Sequence, residues 1–309
     1  MSRYEPDQLK AALRSGLLCF PVTHATPDLR FDEKAYQAHL EWLASYGPAG
    51  MTAAGGTGEF FALTLAEAAQ VIRAAVRVAP RGTAIMGAAG YGTATAVEMA
   101  RDVERAGADG LFLLPPYLTE IDQEGLVEHV RRVCAATSLG VLVYHRAQAR
   151  FTAESVARLA EECPNLVAFK DGIGDLDLIS RLAATVGDRL VYVDGLPTSE
   201  INASAYLAAG AATYSSAIFN FLPGWAMEFH AAVRAADRDE VARRLRDFVV
   251  PFLGIRDRRP GYAVSIVKAG MRAVGRPAGP VRPPLTDLTG PEYDQLAALI
   301  GRATVEPPN

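Results

Sequence analysis

The chain has 309 residues, half of them hydrophobic and 21% charged, with a formal net charge of -4. That supplies a sizeable core but no basic block, which argues against nucleic acid and anionic membranes as partners. No window approaches the roughly 18–20 uninterrupted apolar residues of a membrane span, and the opening MSRYEPDQLK has no signal-peptide apolar region.

A cytoplasmic location is therefore expected. Cys19, Cys134 and Cys163 are odd in number and far apart in the chain. They suit buried small hydrophobes in a reducing compartment better than disulfides or a zinc site.

In chain order, short apolar runs alternate with amphipathic stretches. The runs fall at 16–23, 49–55, 83–88, 109–115, 140–145, 166–171, 190–194 and 211–215. Helical periodicity lies between them, for example at 32–46, 65–78, 94–106, 123–136, 153–162 and 199–209. Continuous apolar runs of this length predict strands buried on both faces, as in a parallel sheet. Eight strand–helix units at roughly 25 residues each predict a (β/α)8 TIM barrel over 1–220 rather than an open doubly wound sheet. Beyond 220 the pattern is helical only, at 225–236, 239–253, 262–274 and 291–303. This predicts a C-terminal helical region, 221–309, packed on the barrel.

Barrel enzymes place their chemistry at the C-terminal ends of the strands. The second run ends in Gly55-Gly-Thr-Gly-Glu-Phe60. Its glycines suit either a tight turn or a nest of N–H groups around a carboxylate, with Gly56 and Thr57 at its centre. Tyr144, Arg146 and Arg150 follow the fifth run; the tyrosine suits an acid–base role or an aromatic lid. Lys170 ends the sixth run. Burial there disfavours the ammonium form, and a neutral amine attacks ketones to form a Schiff base. Gly195 follows the seventh run. Ser215 and Ser216 end the eighth, placed for substrate contact or for backbone capping. No His, Asp and Glu cluster has metal spacing, so a mechanism without metal or organic cofactor is expected.

Taken together, the Gly55–Phe60 motif, Tyr144, and Lys170 in Phe-Lys-Asp-Gly resemble the dihydrodipicolinate synthase / N-acetylneuraminate lyase superfamily. The resemblance runs over nearly the whole chain. It implies a Schiff base on Lys170, proton transfer by Tyr144, and a keto-acid carboxylate held at Gly56 and Thr57. Gly56 stands where synthases usually carry a second threonine. Leu118 follows Tyr117 where synthases carry a second tyrosine, which argues against dihydrodipicolinate synthesis.

The longer strings Leu114-Pro-Pro-Tyr-Leu-Thr119, Thr213-Tyr-Ser-Ser-Ala-Ile-Phe-Asn220, Lys268-Ala-Gly-Met271 and Gly279-Pro-Val-Arg-Pro-Pro284 resemble members that act on a keto-deoxy sugar diacid. The implied reaction is loss of water and CO2 from 5-dehydro-4-deoxy-D-glucarate, giving 2,5-dioxopentanoate. The alternatives are a keto-acid aldolase or synthase, or a non-catalytic sugar-acid-binding barrel. Arg146 or Arg150 is expected at the distal carboxylate. Arg282 is expected to tie the helical region to the barrel, and the resemblance further implies a homo-oligomer, tetramer or dimer.

Overall fold

The computed structural model describes residues 2–117 and 120–305. Eight strands form a closed, all-parallel barrel in chain order: β1 (Leu18–Cys19), β2 (Gly50–Ala53), β3 (Ala84–Ala89), β4 (Gly110–Leu113), β5 (Gly140–His145), β6 (Leu166–Asp171), β7 (Val191–Asp194) and β8 (Thr213–Ser216). β1 pairs with both β2 and β8, which closes the ring. Every strand residue is buried. That explains why the strands appear in the sequence as continuous apolar runs rather than as alternation.

The outer helices begin with α1 (Pro6–Arg14), α2 (Glu33–Ala44), α3 (Leu65–Arg77), α4 (Thr93–Arg105) and α5 (Gln123–Cys134). They continue with α6 (Ala153–Glu162), α7 (Leu176–Thr185) and α8 (Ala203–Ala208). Side-chain caps fix their starts. Asp32, Asp122, Thr152 and Asp175 accept N–H bonds from the first turns of α2, α5, α6 and α7. Thr64 and Glu67 form a reciprocal capping box on α3. Such caps contribute about 1 kcal/mol each and set where each strand must end.

Three local features differ from the sequence pattern. The first is α1, short and rich in charge, with only Leu9 and Leu13 buried. It sits across the N-terminal ends of the strands, with Leu9 against Gly110 and Gly140; a Cβ on Gly140 would come within 2.8 Å of the leucine. The second is the helix expected at 199–209, which is a 3-10 turn, Ser199–Ile201, followed by α8. The third concerns the cysteines: all are buried and free, as expected, but the Cys134 thiol faces that of Cys163 despite their distance in the chain.

After β8 come α9 (Pro223–Arg234), α10 (Arg238–Arg244), α11 (Val250–Arg256), α12 (Tyr262–Ala273) and α13 (Gly290–Val305). A π turn, Leu245–Val249, joins α10 to α11 just before Pro251, whose missing N–H breaks the regular helical ladder. These helices enclose a second apolar cluster containing Phe221, Phe252, Tyr262 and Leu296. They also reach the barrel through a buried ionic tie. Lys268 Nζ lies 2.5 Å from Glu59 Oε1, and the Arg282 N–H donates to Glu59 Oε2 at 2.7 Å. The Arg282 side chain pairs with Glu67 on α3 at 2.9 Å.

Candidate active site

A cavity of about 370 Å³ opens at the C-terminal end of the barrel. Lys170 and Tyr144 sit side by side in its wall, because they are register partners across β6 and β5. Lys170 is 3% exposed. Its Nζ lies 4.5 Å from the centre of the Tyr144 ring and 4.9 Å from that of Phe20. Burial among these rings pulls the amine from its ordinary value down to about 7. Asp194 and Asp171 oppose that shift, while Arg146 adds to it. Gly195 makes room for the amine: a Cβ there would collide with Nζ and come within 2.6 Å of Lys170 Cγ.

Tyr144 donates its hydroxyl proton to Gly195 O at 2.9 Å. Its oxygen accepts from Arg146 Nη1 at 3.2 Å, and the same nitrogen donates to Gly172 O at 3.3 Å. Burial pushes the Tyr144 hydroxyl above its ordinary value, and Arg146 draws part of that back. Gly172 closes on the same ring, and a Cβ there would come within 2.6 Å of the tyrosine hydroxyl.

Gly56 and Thr57 line the opposite wall. Their turn is held by bonds from Glu59 N to Gly56 O and from Phe60 N to Gly55 O, with Ala54 and Glu59 in the left-handed region. Among the described residues, no hydrogen bond occupies the N–H of Gly56 or Thr57, or the Thr57 hydroxyl. Two free N–H groups and a hydroxyl facing a cavity suit a carboxylate.

Gly195, Ser215 and Ser216 also line the cavity. Arg146 reaches it; Arg150 does not, and instead donates to Ala147 O at 3.2 Å on the surface. The cause is a tight turn. Ala147 takes a left-handed conformation, and Arg146 bridges back to Ala149, so Ala147 and Gln148 still line the cavity while Arg150 falls outside it. Tyr117 lines the outer mouth and packs 5.7 Å from the Tyr91 ring. Leu118, the other half of the expected tyrosine-pair position, lies outside the described residues.

The sequence reading missed three buried acids beside the cavity. Asp171 accepts N–H bonds from Ile173, Gly174 and Asp175 and the Tyr206 hydroxyl bond, so it shapes the turn after Lys170. Burial raises Asp194 to about 6, against bonding from the Leu196 N–H and attraction to Lys170. Glu200, on the 3-10 turn after β7, is raised to about 7, again by burial. Asp171 and Asp194 end predicted strands, which was a usable signal. Glu200 carried none, since its neighbours resemble the start of an exposed helix.

Fold and site together define an α/β-barrel enzyme of the lyase type. The dihydrodipicolinate synthetase family model matches residues 13–303, and the chain belongs to that family. It is 61% identical over 300 residues to a probable 5-dehydro-4-deoxyglucarate dehydratase of Saccharopolyspora erythraea, covering 97% of each chain. A protein of the same name from Rhodococcus opacus is 56% identical over 299 residues, covering 97% of this chain and 98% of that one. Among solved structures, dihydrodipicolinate synthase from Bacillus clausii superposes with a TM-score of 0.87 at 26% identity, covering 96% of this chain and all of that one. The synthase from Oceanobacillus iheyensis gives 0.88 at 24% identity over 98% of this chain and all of that one, a likeness of fold.

Proposed function

We propose that the chain dehydrates and decarboxylates 5-dehydro-4-deoxy-D-glucarate to 2,5-dioxopentanoate, CO2 and water. One arrangement carries this reading: a desolvated amine with anion-holding groups at both ends of the same cavity. The near-full-length likeness to relatives bearing that dehydratase name selects the substrate.

On this reading the Lys170 amine attacks the keto carbon and loses water to form an iminium. The carboxylate beside the ketone rests on the free N–H groups of Gly56 and Thr57. Arg146, the arginine that reaches the cavity, takes the distal carboxylate by a charge-assisted bond; Arg150 stays outside. The iminium acidifies the neighbouring CH2. Tyr144, beside the amine, gives its hydroxyl proton to the water lost as the iminium forms and then, as a phenolate held by Arg146, takes the proton from that CH2, leaving an enamine. The enamine expels the β-hydroxyl, and the resulting conjugated iminium accepts the electron pair of the C–CO2 bond. Protonation and hydrolysis free the product. The imine nitrogen is the electron sink throughout, so no organic cofactor or metal is required.

We also infer a cytoplasmic homo-oligomer. Phe61 and Tyr117 stand 48% and 57% exposed beside the cavity mouth, surface that a second copy would cover. No helix among the described residues is long and apolar enough to cross a membrane. Light scattering on the purified protein reads the assembly state.

The test supplies the purified protein with the six-carbon keto-deoxy diacid and follows CO2 together with the semialdehyde through a coupled aldehyde dehydrogenase. Both are expected in equal amounts. Pyruvate as the product would identify an aldolase and overturn the reading. Borohydride in the presence of a 2-oxo acid is expected to leave one adduct on Lys170, absent in Lys170→Ala. Tyr144→Phe is expected to keep the adduct and lose about 10²–10⁴ in kcat.

A further inference from the structure

The elimination step needs a proton for the departing hydroxyl. Lys170 is occupied as the imine, and the Tyr144 proton is directed at the Gly195 carbonyl. Among the described residues, four other side chains lining the cavity carry hydroxyls: Thr57, Tyr117, Ser215 and Ser216. Tyr117 stands 57% exposed at the outer mouth, away from Lys170. Thr57 sits in the carboxylate cradle. Ser215 donates to the Asp194 carbonyl at 3.4 Å. Ser216 differs, because its Oγ is bonded to the Oε1 of a carboxyl, Glu200.

Glu200 is 1% exposed, and its second oxygen, Oε2, is buried without a partner. An ionised carboxylate so placed would forfeit several kcal/mol of hydration and would accept from the Ser216 hydroxyl, whereas a carboxyl protonated on Oε1 reverses that bond and donates to Ser216. The Phe219 N–H already donates to Ser216 Oγ at 3.1 Å. With Glu200 donating as well, the serine oxygen has accepted twice, and its own hydrogen is free to turn toward the cavity.

We propose that Ser216 and Glu200 form the proton-delivery arm of this site: Ser216 gives its hydroxyl proton to the departing β-hydroxyl, and Glu200 refills it from behind. The inference rests on the dehydratase reading above. As the C–O bond breaks, its electron pair leaves with oxygen, the Ser216 proton completes a water molecule, and the Glu200 proton moves to Ser216 Oγ. Glu200 is left as carboxylate and regains a proton from solvent before the next turnover. The balance agrees. Elimination takes one proton from carbon and places one on oxygen, while replacing CO2 by hydrogen at carbon takes up one more. The whole reaction therefore consumes one proton. Glu200 acts through Ser216, as a positioning residue, rather than on the substrate.

The groups facing Glu200 set when it holds its proton. Asp194 on β7 favours the protonated form, and Arg256 on α11 opposes it. The buried Tyr214 hydroxyl on β8 is its neutral neighbour. Arg246 and Asp247, on the π turn packed against it, pair with each other at the surface. With the carboxyl at about 7, delivery is available below that pH and is lost as pH rises through it.

The experiment compares wild type, Glu200→Gln, Glu200→Asp and Ser216→Ala as full chains. Three readouts are used: the borohydride adduct on Lys170, deuterium exchange beside the ketone of 2-oxoadipate in D2O, and kcat on the hydroxylated diacid. 2-Oxoadipate lacks the leaving hydroxyl, so exchange reports imine and enamine formation alone. Glu200→Gln and Ser216→Ala are expected to keep adduct and exchange while kcat falls about 100-fold. Wild-type kcat is expected to fall as pH rises through about 7. Glu200→Gln should flatten that limb and Glu200→Asp restore part of it. Turnover of Glu200→Gln within threefold of wild type overturns the proposal, as does loss of adduct and exchange along with turnover. Absence of any adduct in the wild type overturns the imine reading itself.

Discussion

The reactive state of Lys170 is set by burial, and that can be measured. A lysine at its ordinary value of 10.5 is free amine in about 0.03% of molecules at pH 7; one at about 7 is free amine in half, roughly a 1,500-fold gain. The assay is imine formation with excess 2-oxo acid and cyanoborohydride, read by intact mass from pH 5.5 to 9.5 at constant ionic strength. Rates should rise about tenfold per pH unit below 7 and level off above it. Phe20→Ala removes one of the two rings over Nζ and admits water, so the midpoint should move upward. A rate still climbing at pH 9 in the wild type would refute the burial argument. A midpoint unmoved in Phe20→Ala would take Phe20 out of it.

The same shift has a stability cost of known sign. The folded value is depressed, so the unfolded chain holds more protons between about pH 7 and 10.5, and wild-type stability rises with pH across that window. The penalty is fully present below about 7 and gone above 10.5. At about 1.4 kcal/mol per pH unit it reaches at most about 5 kcal/mol. Lys170→Met should therefore melt higher than wild type at pH 6, with the gap shrinking toward pH 10; a constant gap would contradict the linkage.

Three further outcomes follow from the geometry. Gly195→Ala places a Cβ onto Lys170 Nζ, so it should abolish the borohydride adduct while circular dichroism stays native. Arg146→Gln should raise KM for the diacid by about 10–100-fold, the loss of one charge-assisted bond, while Arg150→Gln should leave KM within about twofold; the reverse order would move the distal carboxylate outward. Lys268→Met leaves Glu59 as a buried carboxylate without its cation, which should cost about 3–5 kcal/mol in denaturant unfolding. It should also raise KM for 2-oxo acids, since Glu59 ends the turn that carries Gly56 and Thr57.

The barrel was legible because its strands are buried on both faces and spaced by amphipathic helices, and both signals are local. Lys170, Tyr144 and the glycine turn were legible for a related reason: the first two lie in the last residues of their strands and the turn follows directly on one, and strand ends in a barrel point to one place. What stayed hidden depends on partners distant in the chain. Arg282 was expected to tie the helical region to the barrel and does so through Glu67, but its backbone bond to Glu59, 223 positions away, is announced by neither residue type. Glu200 meets Ser216 only because β8 lies next to the turn after β7. The choice between Arg146 and Arg150 was hidden by one left-handed alanine, Ala147, a conformation that residue type does not foretell. The helix α1 was hidden because only Leu9 and Leu13 face inward.

One physical cause acts on four titrating groups around the cavity. Burial lowers Lys170 and raises Tyr144, Asp194 and Glu200, so each is driven toward its uncharged form. Near neutral pH such a site holds an amine able to attack and, in Glu200, a carboxyl able to donate. The proposed substrate brings two negative charges. Inside a low-dielectric cavity these stabilise the iminium that forms on Lys170 and hold protons more firmly on Asp194 and Glu200. A desolvated lysine alone would serve any imine-forming barrel. A buried acid that keeps its proton as a dianion enters is what the proposed proton-delivery arm requires to expel hydroxide as water, and on that proposal the pairing of such an acid with the desolvated lysine separates elimination from simple carbon–carbon cleavage.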